Sequence, residues 1–107
     1  MTESHLLQQI RQALNRTQRV RVVRNSVGVD EARGVRYGLG VGSSDLIGML
    51  PTGRVFALEI KTPTGRLRPE QKTWLTAVRR WGGFAAVARN IDDAMSALTR
   101  AEQGQCE

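Results

Sequence analysis

The apolar positions of the chain change rhythm several times, and each change marks an element. Leu6, Leu7, Ile10, Ala13 and Leu14 recur at helical spacing and predict a helix from Glu3 to about Asn15, with no evident cap. The period then shortens to two: RVRVVR, Arg19 to Arg24, alternates like a strand with arginines on one side. Asn25 to Gly34 (NSVGVDEARG) loses the alternation and reads as a turn or mobile loop. A strand pattern resumes over Val35 to Val41, broken by Gly38 and Gly40. Asp45 to Leu50 and Arg54 to Ile60 are two more strands, joined by Pro51-Thr52-Gly53 as a hairpin turn. Pro69 to Trp81 is a helix with proline in the favoured first position, and Trp74, Leu75 and Val78 mark its inward stripe. Gly82-Gly83 ends it. Phe84 to Ala88 is a short buried strand, and Asp92 to Ala101 a last helix, with Asn90 or Asp92 as its cap.

An antiparallel meander followed by a strand–helix–strand crossover gives an α/β fold. The expected order is α-β-β-β-β-α-β-α, a central mixed sheet flanked by helices. One domain over residues 1–101 with a polar tail over 102–107 suits a chain of 107 residues.

Composition excludes some classes. No apolar run approaches the roughly 20 residues needed to cross a bilayer. The opening MTESHLLQQI shows no secretory signal pattern. The single Cys106 permits neither an internal disulfide nor a cysteine-based zinc cluster, which makes a reducing, cytoplasmic setting the simplest expectation. The sole histidine, His5, argues against His-metal chemistry and is expected to be exposed. The net charge of +6 comes from 16 basic residues, of which only Lys61 and Lys72 are lysines. Arginine grips phosphate bidentately, so nucleic acid becomes a natural partner. A GC-rich genome explains the arginine bias equally well.

The chemistry gathers at the end of the best strand, VFALEIK (Val55 to Lys61). Phe56, Leu58 and Ile60 take one face, while Val55, Ala57, Glu59 and Lys61 share the other. With a three-residue turn, Leu50 pairs with Arg54, and counting back places Asp45 opposite Glu59. A two- or four-residue turn, or a bulge at Gly48, would separate them. Two carboxylates that close need a cation between them, and a divalent ion with hard oxygen ligands fits. Lys61 beside them can hold a water or a phosphate oxygen. Gln71, three residues before Trp74, points toward the sheet from its helix, and Glu3 extends the apolar stripe of the first helix toward the same region.

With those residues placed, the sequence resembles the PD-(D/E)xK nuclease superfamily and specifically its VRR-NUC branch. The matching stretches are Gly42 to Gly48 (GSSDLIG), Leu58 to Lys61 (LEIK), and Gly65 to Gln71 (GRLRPEQ) with Trp74-Leu75. The Gly82–Ala88 strand and the Asp92-Asp93-Ala94 helix start are similar too, and the likeness runs from the first helix to about Leu98. Ser44 stands where many relatives have proline. The resemblance implies a restriction-endonuclease-like core and a metal-dependent phosphodiesterase. It implies Asp45 and Glu59 as metal ligands, with the Ile60 carbonyl and Glu3 completing the shell of a Mg²⁺ or Mn²⁺ ion. Lys61 would position or help deprotonate the attacking water, and Gln71 would support the site.

On this reading Arg66, Arg68 and Lys72 line the mouth of the site, and Arg19, Arg21, Arg24 and Arg36 extend the phosphate track. Each reads equally as a solvated charge. Contacts to the backbone position DNA without reading its sequence, so branched DNA such as a four-way junction or flap is the expected substrate. Small stand-alone members of the branch resemble Holliday-junction resolvases, which implies a symmetric dimer, and Trp81, Met95 and Leu98 are candidates for its interface or for the core. No small-molecule cofactor is expected. The rival reading is a non-catalytic basic module that binds nucleic acid on the same fold.

Overall fold

The computed structural model describes residues Met1–Glu107, and its spine is β5 (Val55–Ile60). On one side β5 pairs antiparallel with β4 (Leu46–Met49), with Leu46 opposite Leu58 and Met49 opposite Val55. On the other it pairs parallel with β6 (Phe84–Ala88), with Phe56 opposite Phe84 and Ile60 opposite Ala88. β1 (Arg21–Arg24) adds to the far side of β4, so the mixed sheet runs β1-β4-β5-β6. The helices are α1 (Glu3–Arg16), α2 (Pro69–Arg80) and α3 (Ile91–Glu102), and α2 is the crossover between the parallel strands. The α/β architecture read from the sequence is the one observed.

The alternation along β5 decides what covers each face. Phe56, Leu58 and Ile60 are wholly buried with Leu6, Leu7, Ile10 and Leu14 of α1 and Ala94, Ala97 and Leu98 of α3. Burial of each of the larger side chains among these is worth roughly 1.5–3 kcal/mol. Phe56 and Phe84 stack across the parallel pair with ring centroids 5.2 Å apart. On the opposite face Ala57 and Ala85 are small, which lets Leu75 of α2 sit directly on the sheet. Met95 packs against the α1–α3 core and Leu98 lies wholly within it, whereas Trp81 is 87% exposed and belongs to no core.

Three sequence expectations change. Asn25 to Gly34 is not simply a loop: β2 (Gly28–Asp30) forms there and pairs antiparallel with β3 (Val35–Tyr37). The order is therefore α-β-β-β-β-β-α-β-α, and β2 and β3 make a separate two-stranded ribbon outside the main sheet. Strand β3 is also shorter than expected, because Gly38 and Gly40 take left-handed φ values of 87° and 114° that end the extended run. Helix α1 has a cap after all, since Thr2 Oγ1 accepts from the His5 N–H at 3.1 Å. Asn90 caps α3, its Oδ1 accepting from Asp93 N–H at 2.7 Å.

Several arginines hold the fold together. The Arg54 guanidinium donates to the carbonyls of Gly82, Gly83, Ala101 and Gln105, tying the hairpin to the ends of α2 and α3. Arg89 donates to the carbonyls of Thr62 and Gly65 at 2.7 and 2.6 Å and fixes the loop that follows β5. Residues 103–107 fold back on the sheet: Cys106 O accepts from Ala85 N–H at 2.9 Å, and Arg79 Nε donates to Ala85 O at 2.9 Å. No helix is long and apolar enough to cross a membrane.

Candidate active site

The three-residue turn predicted at Pro51-Thr52-Gly53 is observed, with Leu50 N–H donating to Arg54 O at 2.9 Å. The register that follows puts Asp45 one step beyond the Leu46–Leu58 pair, level with Glu59. Glu59 is 2% exposed, and both carboxyls line a cleft of about 440 Å³ with Gln71, Arg24, Arg68, Tyr37 and the turn Val41-Gly42-Ser43. Asp45 is anchored through Oδ2, which accepts from the Ile60 N–H at 2.8 Å. The hydrogen bond puts the Ile60 backbone N–H beside the acid pair.

Helix α2 brings the next group. Gln71 is buried; its Oε1 accepts from the Arg68 N–H at 2.9 Å, and its Nε2 donates to Glu59 Oε1 at 3.5 Å. One amide thus caps the helix and faces the carboxyl. Its placement depends on Gly42, which has φ +83° and lies so close to α2 that an added Cβ would stand 2.4 Å from Glu70 O. Only glycine combines that backbone with that contact.

The remaining oxygen of Glu59, Oε2, is buried and receives no hydrogen bond from a donor. An orphaned carboxylate oxygen in that setting is costly unless it keeps a proton or meets a cation. Accordingly the Glu59 carboxyl is pushed up from 4.5 to about 9. Burial is the largest cause, followed by the hydrogen bond and the charge of Asp45; Lys61 opposes the rise and Glu3 adds to it. Two hard anionic oxygens side by side, one lacking a donor, suit a divalent cation. The donor set fits such an ion, with Asp45 and Glu59 available to hold it.

Lys61 lies on the Glu59 face with only 9% exposure, its stem 3.5 Å from where a Cβ on Gly65 would be. Glu3 sits exposed at the first turn of α1; its charge is felt at Glu59, but no group of three or more acids, histidines or cysteines gathers around one point. The acids are a pair. Of the cationic candidates, Arg24 and Arg68 line the cleft, and Arg68 Nε also lies 3.1 Å from Glu70 Oε1. Arg66 and Lys72 are exposed and do not line it, and Arg36 is exposed on β3. Arg21 falls at the hairpin end of β1, opposite Met49, three residues or about 10 Å along the strand from Arg24. Arg19 is paired with Glu102 of α3.

Asn25 has a structural role the sequence did not reveal. Its N–H donates to Asp45 O at 2.8 Å, its Nδ2 donates to Ser43 Oγ and Ser44 O, and its Oδ1 accepts from Leu39 N–H. One side chain thereby joins β1, the ribbon and the turn that carries Asp45. Ser44, wholly buried, donates its hydroxyl to Leu46 O at 2.8 Å, so a serine is accommodated without an unpaired polar atom.

The VRR-NUC domain model matches residues 2–90, spanning α1 through β6 and every residue of the acid pair and its supports. No curated protein matches the chain. The match covers most of the chain, and the chain belongs to the VRR-NUC family, a PD-(D/E)xK nuclease family.

Proposed function

We propose that the chain is a metal-dependent DNA endonuclease centred on Asp45 and Glu59. The carrying observation is Glu59 Oε2: buried, without a donor, and set against a second carboxyl at an open cleft. A binding module for phosphates gains nothing from such a pair, which repels the ligand. A bound Mg²⁺ or Mn²⁺ supplies Lewis acidity toward a phosphate oxygen and a lowered pKa for water. Asp45, Glu59 and the Ile60 carbonyl hold it. Lys61 orients the attacking water or a phosphate oxygen as a compact cation. Gln71 keeps Glu59 in place, and Glu3 adds negative field at the rim. Arg24, Arg66, Arg68 and Lys72 seat the DNA backbone, with Arg36 beyond them on the ribbon.

Charge contacts of that kind favour shape over base sequence, and flaps or four-way junctions are the proposed substrates. A four-way junction has two-fold symmetry, so a symmetric homodimer follows for that substrate, with the exposed Trp81 at the contact. Sedimentation of the wild type and Trp81→Ala tests the dimer.

The decisive assay is a cleavage panel of linear duplex, single strand, flap and four-way junction, each with Mg²⁺ and with Mn²⁺. Nicking of branched DNA is expected, with Asp45→Ala and Glu59→Ala abolishing it while binding persists. Binding without hydrolysis in either metal refutes the enzyme and leaves a basic nucleic-acid module.

A further inference from the structure

The cleft contains an aromatic ring whose position serves no core. Tyr37, the only tyrosine, is the cross-strand partner of Gly28 in the ribbon. Its ring lies across the Gly28 backbone: a Cβ added there would come within 2.4 Å of the hydroxyl oxygen and 2.6 Å of Cζ. The ring is therefore supported from below, yet Tyr37 remains 50% exposed and lines the same cleft as Asp45, Glu59 and Gln71. The ribbon that carries it pairs with no strand of the main sheet. Its register to the site is fixed instead by Asn25 Oδ1, which accepts from Leu39 N–H at 3.1 Å, and by Gly38, where a Cβ would stand 2.3 Å from Ser26 O.

We propose that Tyr37 is a specificity-determining residue: a platform on which an unpaired base next to the scissile phosphate stacks, with Arg24 and Arg68 seating the flanking phosphates. The proposal rests on the nuclease reading for what happens at that phosphate, but base stacking itself does not require hydrolysis. In a continuous duplex each base face is already covered by its neighbours, so a single fixed ring gains little there. At a flap or branch point a base face is free, and stacking on an aromatic is tolerant of base identity. Tyr37 thus selects for a nucleotide freed from pairing, and the acids act on the bond beside it. The apolar ring, the paired guanidinium groups and the acids are what a nucleotide presents in turn: base, phosphate, reacting centre.

The test uses the full chain with Ca²⁺ in place of Mg²⁺, and a flap carrying 2-aminopurine at the branch-point nucleotide. Wild type and Tyr37→Phe quench the fluorophore on binding. Tyr37→Ala abolishes the quench and weakens flap binding about tenfold while changing blunt-duplex binding less than about twofold. Gly28→Ala, which displaces the ring without altering it, reproduces the loss of quench even if Tyr37→Ala proves poorly folded by its urea midpoint. The proposal is overturned if wild type fails to quench, if Tyr37→Ala still quenches, or if it weakens flap and duplex equally. Failure of the nuclease reading is seen separately, as absence of product with Mg²⁺ or Mn²⁺ while quenching persists.

Discussion

Glu59→Gln should make the metal-free protein more stable, and increasingly so as pH rises. The folded state holds the Glu59 proton up to about pH 9, whereas the ordinary value is 4.5. Stability from this group is therefore fully present below pH 4.5 and is lost as pH rises toward 9. The slope is about 1.4 kcal/mol per pH unit, or roughly 4 kcal/mol between about pH 5.5 and 8.5. Water in the cleft screens part of the interaction, so about half of that, ~2 kcal/mol, is the expected change. Glutamine does not titrate and retains both a hydrogen-bond acceptor and the volume. Urea denaturation in EDTA, followed by tryptophan fluorescence, gives the stability difference between the two proteins at each pH. The variant should gain about 2 kcal/mol on the wild type across that range, and saturating Mg²⁺ should restore the wild type by displacing the proton. A gap that stays constant with pH refutes the buried-carboxyl account.

The same linkage makes metal binding release close to one proton per ion at neutral pH, which calorimetry in buffers of different ionisation enthalpy will detect. Gly42→Ala forces a Cβ against Glu70 O and disfavours φ +83°, so it should displace Gln71 and lower cleavage by about tenfold or more; unchanged turnover removes the glycine from the site. Asn25→Ala leaves partners of Leu39, Ser43 and Ser44 unmet and should cost about 1–3 kcal/mol in denaturant unfolding. Arg54→Ala should cost on the order of 2 kcal/mol, because carbonyls of the α2 and α3 ends lose their donor.

The acid pair was legible because a strand's two-residue period and a three-residue turn leave one register. Phe56, Leu58 and Ile60 declare the core face, and arithmetic then puts Asp45 beside Glu59. Gln71 followed from Trp74 by helical spacing. Strand β2 of the ribbon was not legible for the opposite reason: Val29 is exposed, so no burial pattern marks a strand of three residues. Asn25 was invisible because its side chain bonds partners 14 to 19 residues away, beyond any local motif. The arginines show the same limit. Composition supplied a charge, but Arg19 is engaged by Glu102, 83 positions distant, and Arg54 is spent on carbonyls.

Ala85 lies on β6, at the edge of the sheet. Its outward N–H and C=O are both taken, one by Cys106 O and the other by Arg79. That rim of the sheet offers no ladder for a foreign strand at its second position. Trimming residues 103–107, or displacing them with a bulky fusion, would reopen it, and the resulting protein should be prone to strand-mediated aggregation on storage even with its active site intact.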